Sequence, residues 1–216
     1  MFTNSYSKSF TFFGSRRTGM RTINRTGHSN FNGSDLAKLF RQAGTNLEAV
    51  YLTGTGVTSD DIRACSEAPG VHTLEIGEGK HFDNSICDII VKIFPNLKRL
   101  KMVGMEVTDY RPLLGLGKLI SLNLFNSSVE NDALEVFGQM SKLEDLCLHQ
   151  TQVTEHGLSK LYKLSQLTWL DLRGLGIEEG RVEELGARFM RRDIRISVGE
   201  YVSPAVNALE EDLELS

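Results

Sequence analysis

The chain has 216 residues, of which 40% are hydrophobic, and its formal net charge at neutral pH is -4. This length and composition allow one large domain or two small ones with a sizeable core, and the negative charge argues against a dedicated nucleic-acid binder. The three cysteines Cys65, Cys87 and Cys147 are too few for a disulfide framework and favour a reducing compartment, so we expect a cytoplasmic protein. No apolar run approaches the roughly 20 residues that a membrane-spanning helix needs.

The first 34 residues differ from the rest in charge, because they hold five Lys and Arg residues and no acidic residue. Residues 1–30 are interpreted as a basic, partly disordered leader, since chain termini are often loose. A mitochondrial targeting peptide would also be rich in Arg and Ser, although Gly14, Gly19 and Gly27 interrupt an amphipathic helix. An arm that binds an acidic surface is the third interpretation.

A helix is predicted to begin after Ser34, a good N-cap, and to end at Gly44. Phe31 lies five residues before Leu36 in this helix, and Val153 lies five residues before Leu158 in a later unit, so residues 31–44 resemble the second half of such a unit. Residues 31–198 are therefore assigned to one repeat domain that starts with a capping helix. The strand of this first unit is expected to have degenerated.

The stretch from Leu143 to Leu172 changes from an apolar period of two to a helical period, and the pattern restarts at Leu167, 24 residues after Leu143 (167 minus 143). One strand followed by one helix is therefore the repeating unit. Such units cannot bury their own apolar stripe, so they stack with parallel strands and right-handed crossovers. Seven strands are predicted from the apolar pairs Val50/Leu52, Leu74/Ile76, Leu100/Met102, Leu122/Leu124, Leu146/Leu148, Leu170/Leu172 and Ile194/Ile196.

The motif L-x-x-L-x-L-x-x-T-x-V-T-x-x-G-L, from Leu143 to Leu158, resembles the leucine-rich repeat superfamily, and is similar to the short Thr-containing repeats of bacterial arrays and F-box-type adaptors. The resemblance covers residues 47–197 and, more weakly, 31–46. It implies an α/β fold, a leucine-rich-repeat solenoid with a right-handed βα superhelix, a parallel sheet on the concave face and helices outside. At the turn position where many members carry Asn, either exposed backbone or Thr and Ser hydroxyls are expected to take the place of the Asn ladder, because the position is occupied here by Thr55, Gly79, Met105, Ser127, Thr151 and Leu175.

The repeat pattern ends before residues 199–216, which are acidic. Within them Ser203 is followed by Pro204, a combination that predicts the start of a helix. One face of that helix would carry Val206, Leu209 and Leu213. The segment is interpreted as a C-terminal helical cap or tail, or as a detachable acidic segment for a partner.

Strand alternation places the side chains between the core leucines on the outward face of the predicted sheet. Phe125, His149 and Trp169 would run diagonally across three adjacent strands, and large rings at such positions are typical of interfaces. We therefore expect a monomeric, non-enzymatic module without cofactors and without a membrane span that binds a protein or peptide there and does not bind nucleic acid. Cover of the rings by the leader or the C-terminal segment is the alternative. The predicted contacts are Tyr51, Lys101, Phe125, His149, Trp169, Asp171 and Arg173.

Two other functions stay open. Cys147, His149 and Asp171 would be neighbours on one face and suggest a zinc- or thiol-dependent hydrolase, although a flat sheet offers no dry pocket and no enzyme motif occurs. The basic leader suggests instead a mitochondrial assembly factor from which the leader is cleaved, with a mitochondrial location.

Overall fold

The computed structural model describes residues 20–78, 82–190, 193–199 and 201–202. Its strands form one sheet whose spatial order is the order of the chain. The first eight strands are parallel, and the ninth is antiparallel to the eighth. Residues 1–19 of the predicted leader and the predicted helix from Ser203 lie outside the described residues. The strands are β1 (Thr22–Asn24), β2 (Ala49–Tyr51), β3 (Thr73–Gly77), β4 (Arg99–Val103), β5 (Ser121–Asn123), β6 (Asp145–Cys147), β7 (Trp169–Asp171), β8 (Arg195–Val198) and β9 (Tyr201–Val202).

Short helices connect the strands, and the first of them ends before Gly44, as predicted. The predicted helical segment around Leu158 is a 3-10 helix rather than an α-helix. A 3-10 helix rises about 2.0 Å per residue against about 1.5 Å for an α-helix, so it crosses a repeat with fewer residues. No helix in the described part of the chain is long and apolar enough to cross a membrane. The α-helices are α1 (Gly33–Ala43), α2 (Ser59–Arg63), α3 (Ile86–Ile93), α4 (Ala133–Phe137) and α5 (Val182–Arg188), and the 3-10 helices are Gly44–Asn46, Arg111–Gly115, Glu155–Leu161 and Glu179–Arg181.

The predicted stacking of the repeats is confirmed by the strand register. Leu100, Leu122, Leu146 and Leu170 lie opposite one another on four adjoining strands, and all four are buried. The apolar residues form one continuous cluster between the sheet and the helices. Because helices are about twice as wide as the ~4.8 Å strand spacing, the sheet forms the inside of an arc.

The first strand, β1, lies inside the segment that was predicted to be a leader. Ile23 is buried and pairs in register with Val50 of β2. The solenoid therefore begins before residue 31, and the strand of its first unit is present rather than degenerate. The adjoining helix α1 also begins earlier than predicted, because the N-cap is Asn32, whose Oδ1 accepts a hydrogen bond from the backbone N–H of Ser34 at 3.0 Å.

The last parallel strand is shifted by two residues from the prediction. Ile196 of β8 pairs in register with Leu170, whereas the predicted pairs placed Ile194 there. The connection between these strands contains both a 3-10 turn and α5, and it makes the last repeat 26 residues long (196 minus 170). As a result Arg195 lies beside Trp169 on the neighbouring strand.

The chain reverses its direction after β8. Gly199 has a φ of +55°, a left-handed conformation that glycine adopts without steric cost. The short strand β9 then runs antiparallel to β8, with Val202 opposite Ser197. The first residues of the predicted C-terminal cap thus form a strand at the edge of the sheet.

At the turn position, the hydroxyl groups of Thr55, Ser127 and Thr151 form hydrogen bonds with backbone groups, as predicted. The Oγ1 atoms of Thr55 and Thr151 donate to backbone carbonyls three residues earlier, at 2.7 and 2.8 Å. Ser127 links two repeats, because its Oγ donates to the carbonyl of Met102 at 2.9 Å and accepts from the N–H of Met105 at 3.2 Å. A neighbouring hydroxyl therefore compensates for the apolar residue at the turn position of the preceding repeat.

Replacing Ser127 with Ala should lower the free energy of unfolding by about 1–3 kcal/mol, because the buried N–H of Met105 loses its hydrogen-bond acceptor. Urea unfolding followed by circular dichroism measures the change. Ser141→Ala, at an exposed turn position, is the matched control and should change stability by less than about 0.5 kcal/mol. Equal effects of the two substitutions would show that the inter-repeat bonds of Ser127 contribute nothing to stability.

A second set of bonds joins two of the helical segments to the repeat before them. Asn84 Oδ1 accepts from the backbone N–H of Thr108 at 2.7 Å, and its Nδ2 donates to the Oγ1 of Thr108 at 3.1 Å. Asn131 makes the same pair of bonds with Thr154, at 3.0 and 2.9 Å. We call these the inter-repeat clamps. In each of them a side chain of the earlier repeat satisfies the backbone at the helical start of the later one.

Candidate functional site

The face of the sheet that points away from the helices carries three rows of side chains, which run across the strands. We call this surface the concave face. The first row contains Arg99, Ser121, Asp145, Trp169 and Arg195. The second row contains Tyr51, Glu75, Lys101, Asn123, Cys147, Asp171 and Ser197. The third row follows the ends of the strands and contains Val103, Phe125, His149 and Arg173.

Two rings of the third row stack on each other. The ring centroids of Phe125 and His149 are 4.9 Å apart, with an angle of 52° between the planes. Both side chains are half-buried, and Val103 beside them is buried. Burial lowers the pKa of His149, with Asp171 acting in the opposite direction, so the imidazole is neutral at neutral pH. A neutral aromatic pair gives this end of the row a flat apolar surface.

Asp171 is the centre of a buried polar group. Its residue is 0% exposed, and its carboxylate accepts from the Nε of Arg173 at 2.9 Å and from the Nη2 at 2.6 Å. The backbone N–H of Arg173 also donates to it, at 3.1 Å. Burial raises the pKa of Asp171, but the hydrogen bonds and charge of Arg173 outweigh burial and hold the pKa below its ordinary value.

This geometry corrects the prediction that Asp171 is itself a partner contact. A side chain without exposed surface cannot touch a partner, so the role of Asp171 is to orient the guanidinium of Arg173. The side chain of Arg173 is 44% exposed and reaches the surface of the concave face. Of the two predicted contacts in this pair, Arg173 is the one that the structure presents to solvent.

Cys147 belongs to the same buried group. Its Sγ donates to the Oδ2 of Asp171 at 3.6 Å, and the residue is buried. Burial raises the pKa of the thiol to about 12, so the sulfur is protonated at neutral pH and is not a nucleophile. Within the described ranges, no group of three or more His, Cys, Asp or Glu side chains is placed to hold a metal ion. The arrangement does not favour the predicted zinc- or thiol-dependent chemistry of Cys147, His149 and Asp171.

Thiol labelling tests this interpretation of Cys147. Because burial also raises the pKa of Cys65 to about 11 and of Cys87 to about 12, all three thiols should react with Ellman's reagent at least about 100-fold more slowly than a free cysteine at neutral pH. The same sample in guanidinium chloride, where all three should react rapidly, is the control. Rapid labelling of Cys147 in the folded protein would restore the thiol mechanism.

The remaining predicted contacts divide into two groups. Trp169 is half-buried in the first row, opposite Asp145, and therefore lies about 13 Å from His149 along the strand direction rather than on the predicted diagonal. Tyr51 lies on β2, several strands away, whereas Lys101 lies on β4, beside the strand that Phe125 follows, and its Nζ is 3.5 Å from a carboxylate oxygen of Glu75. The structure therefore groups Phe125, His149 and Arg173 in the third row, with Trp169 in the first row of neighbouring strands and Lys101 on the strand beside Phe125, and it leaves Tyr51 near the other end of the sheet.

One residue of this surface was missed by the sequence analysis. The predicted register placed Arg195 beside Asp171 in the second row, but the structure places it beside Trp169 in the first row. The longer connection before β8, with its Arg- and Glu-rich helix, was the signal that could have indicated the shift.

Comparisons with known proteins support the fold. No protein-family model and no curated protein matches the chain. Among solved structures, an internalin C2 from Listeria monocytogenes is similar over 82% of this chain and 73% of its own, with 20% sequence identity and a TM-score of 0.52. The internalin inlF of the same organism is similar over 84% of this chain but only 54% of its own, with 16% identity and a TM-score of 0.54. With this similarity, the parallel sheet and the repeated strand–helix unit show that the chain has the fold of the leucine-rich-repeat superfamily, a right-handed solenoid with an open sheet.

Proposed function

We propose that the chain is a non-catalytic protein-interaction module that binds a protein or peptide on its concave face. One observation carries this proposal: three rings, Phe125, His149 and Trp169, are only half-buried and lie on the side of the sheet that no described helix covers. Aromatic side chains and arginine are enriched where interfaces contribute most of their binding free energy. Arg173, held by Asp171, supplies a positioned cation beside the rings.

The size of the face agrees with such a role. Eight parallel strands have seven gaps of about 4.8 Å, so the sheet is about 34 Å long. A standard interface needs about 800 Å² per partner, which a surface of this length can supply. The internalin structures have the same fold, and the neutral thiol of Cys147 leaves the concave face without the nucleophile of the rival hydrolase.

The mitochondrial alternative depends on the leader, most of which lies outside the described residues. The cytoplasmic location and the monomeric state stay predictions from the sequence. Sequencing the N-terminus of the protein isolated from its cells distinguishes the two locations, because cleavage of the leader would remove Met1.

Replacing Trp169 with Ala should weaken partner binding by about 2 kcal/mol or more, because the ring is a large, half-buried aromatic side chain on the proposed surface. An affinity pull-down that compares the native protein with the variant identifies partners that depend on this ring. Calorimetry with the purified partner then measures the loss of affinity.

Leu114→Ala is the matched control, because Leu114 is 42% exposed in the 3-10 helix Arg111–Gly115, away from the concave face. It should leave partner binding unchanged. Far-ultraviolet circular dichroism should be the same for both variants. If Trp169→Ala unfolds the protein, the ring is structural; if it folds and binds the partner normally, the proposed surface is wrong.

A further inference from the structure

We propose that residues 203–216 of this chain fold back across the concave face and occupy its first row, with Trp169 and Arg195 as the main contacts. The tail would then be an internal competitor for the surface described above. The idea rests on the proposed function, because a competitor regulates this surface only if a partner binds there.

The direction of β9 is the first argument. In the antiparallel register, Tyr201 lies opposite Val198 and Val202 opposite Ser197. The chain is therefore running back toward the beginning of the parallel strands, where the first row lies. Two residues further on, Pro204 would face Arg195; because proline has no N–H to donate to the sheet, pairing should stop at this level. In the proposed arrangement, the tail would therefore leave the sheet beside the first row.

The second argument is distance. From β9 to β4, which carries Arg99 at the far end of the charged part of the row, there are five gaps of about 4.8 Å, or about 24 Å. Fourteen residues (203 to 216) span up to about 46 Å when extended. The tail can therefore cross the row and still contain helical turns.

The third argument is chemical complementarity. The tail contains no Lys or Arg, and its acids are Glu210, Glu211, Asp212 and Glu214. The first row offers an arginine at each end, Arg99 and Arg195, with the half-buried ring of Trp169 beside Arg195. Leu209, Leu213 and Leu215 flank the acids of the tail, so apolar contact with the ring and ion pairs with the arginines can form together.

The row also contains one acid, Asp145, which the tail must tolerate. Burial and then the charge of Glu144 raise the pKa of Asp145, and the charges of Arg195 and Arg99 act against them without cancelling them. Two arginines against one aspartate leave the row with an excess of one positive charge, which favours an acidic occupant.

Acrylamide quenching of tryptophan fluorescence tests the proposal, because Trp169 is the only tryptophan of the chain. A protein that ends at Val202 should show a quenching constant at least about twofold higher than the full chain, since the ring is shielded in proportion to the population of the bound tail. A synthetic peptide of residues 203–216, added to the shortened protein, should reverse the change saturably. At about 1 M NaCl, where charges are screened beyond about 3 Å, it should bind more weakly.

Charge variants provide the controls. In the full chain, Arg195→Glu should raise the quenching constant, whereas in the shortened protein it should have no effect. Arg41→Glu makes the same charge change at an exposed position of α1 and should have no effect in either protein. If the shortened protein does not fold, a full chain with Glu210→Gln, Glu211→Gln, Asp212→Asn and Glu214→Gln replaces it and should show the same rise.

An unchanged quenching constant in the folded shortened protein and the amide variant would overturn the proposal, as would a peptide that does not bind. Light scattering that shows a dimer for the full chain and a monomer for the shortened protein would also overturn it, because the tail would then bind a second copy. These experiments use no outside partner. If they fail while Trp169→Ala still abolishes partner binding, the tail proposal falls and the proposed function stands; the reverse pattern would separate them equally well.

Discussion

Replacing Leu148 with Ala should destabilise the solenoid by about 2–5 kcal/mol, the usual cost of a cavity at a fully buried leucine. Leu148 is 0% exposed and belongs to the continuous cluster between the sheet and the helices. It follows β6, and its backbone N–H donates to the carbonyl of Asp171 on the next repeat at 2.9 Å, so the side chain lies where two repeats meet. In a stack, collapse around such a cavity is opposed by the packed repeats on both sides. Equilibrium unfolding in guanidinium chloride measures the loss.

The exposed Leu114 again provides the comparison. Leu114→Ala removes the same atoms from a side chain that is 42% exposed and should cost much less than Leu148→Ala. A neutral result at Leu148 would mean that the alternation of buried and outward residues along β6 is wrong. That outcome would also displace Cys147 and His149 from the concave face.

Replacing Arg173 with Ala should also be strongly destabilising, because it leaves the fully buried carboxylate of Asp171 without its cation. Loss of one partner of a buried pair costs about 3–5 kcal/mol, and we expect about 2–4 kcal/mol here because the Arg173 side chain is 44% exposed. Arg173→Lys keeps the charge but loses the bidentate hydrogen bond to Asp171, so it should be more stable than Arg173→Ala but less stable than the native protein. The double variant Arg173→Ala with Asp171→Asn removes the buried charge and should be more stable than Arg173→Ala alone.

The cost of Arg173→Ala should shrink as the pH falls. In the native protein the pKa of Asp171 is held below its unfolded value, so this group stabilises the fold above about pH 4 and loses that effect on further acidification. Without Arg173, burial dominates and raises the folded pKa above the unfolded value. Protonation then relieves the variant as the pH falls toward that of the unfolded aspartate. Urea unfolding at neutral pH and near pH 4 measures the difference; a constant or growing cost would contradict the buried-charge explanation.

The repeat architecture was predictable because the same chemical requirement recurs at nearly constant spacing. The strand of each repeat must bury two apolar side chains, and the pairs from Val50/Leu52 to Leu170/Leu172 show this directly in the sequence. The first strand was missed because β1 has only one apolar residue, Ile23, between Thr22 and Asn24. The register of the last parallel strand, β8, was predicted two residues too early, because Ile194 and Ile196 satisfy the same pattern as Ile196 and Val198. Only the longer connection selects the second pair.

The candidate surface was predictable only in part, for a different physical reason. Alternation along a strand tells which face a side chain is on, but it does not tell how far its neighbours cover it. Asp171 is on the concave face as predicted, yet it is completely buried and accepts hydrogen bonds from Arg173 and Cys147. An Asp followed two residues later by an Arg on the same strand face is a signal for such a pair, and it could have indicated a supporting role.

The inter-repeat clamps give the stack a polarity. Thr108 depends on Asn84, and Thr154 depends on Asn131, so these two repeats rely on the one before them for the start of their helical segments. The reverse dependence does not hold for these bonds. Trimming repeats from the amino-terminal end should therefore unravel the neighbouring later repeat, whereas trimming from the carboxyl-terminal end leaves the earlier helical starts intact. By this criterion, a minimal, independently folding fragment of the protein should retain the amino-terminal repeats and omit the carboxyl-terminal ones.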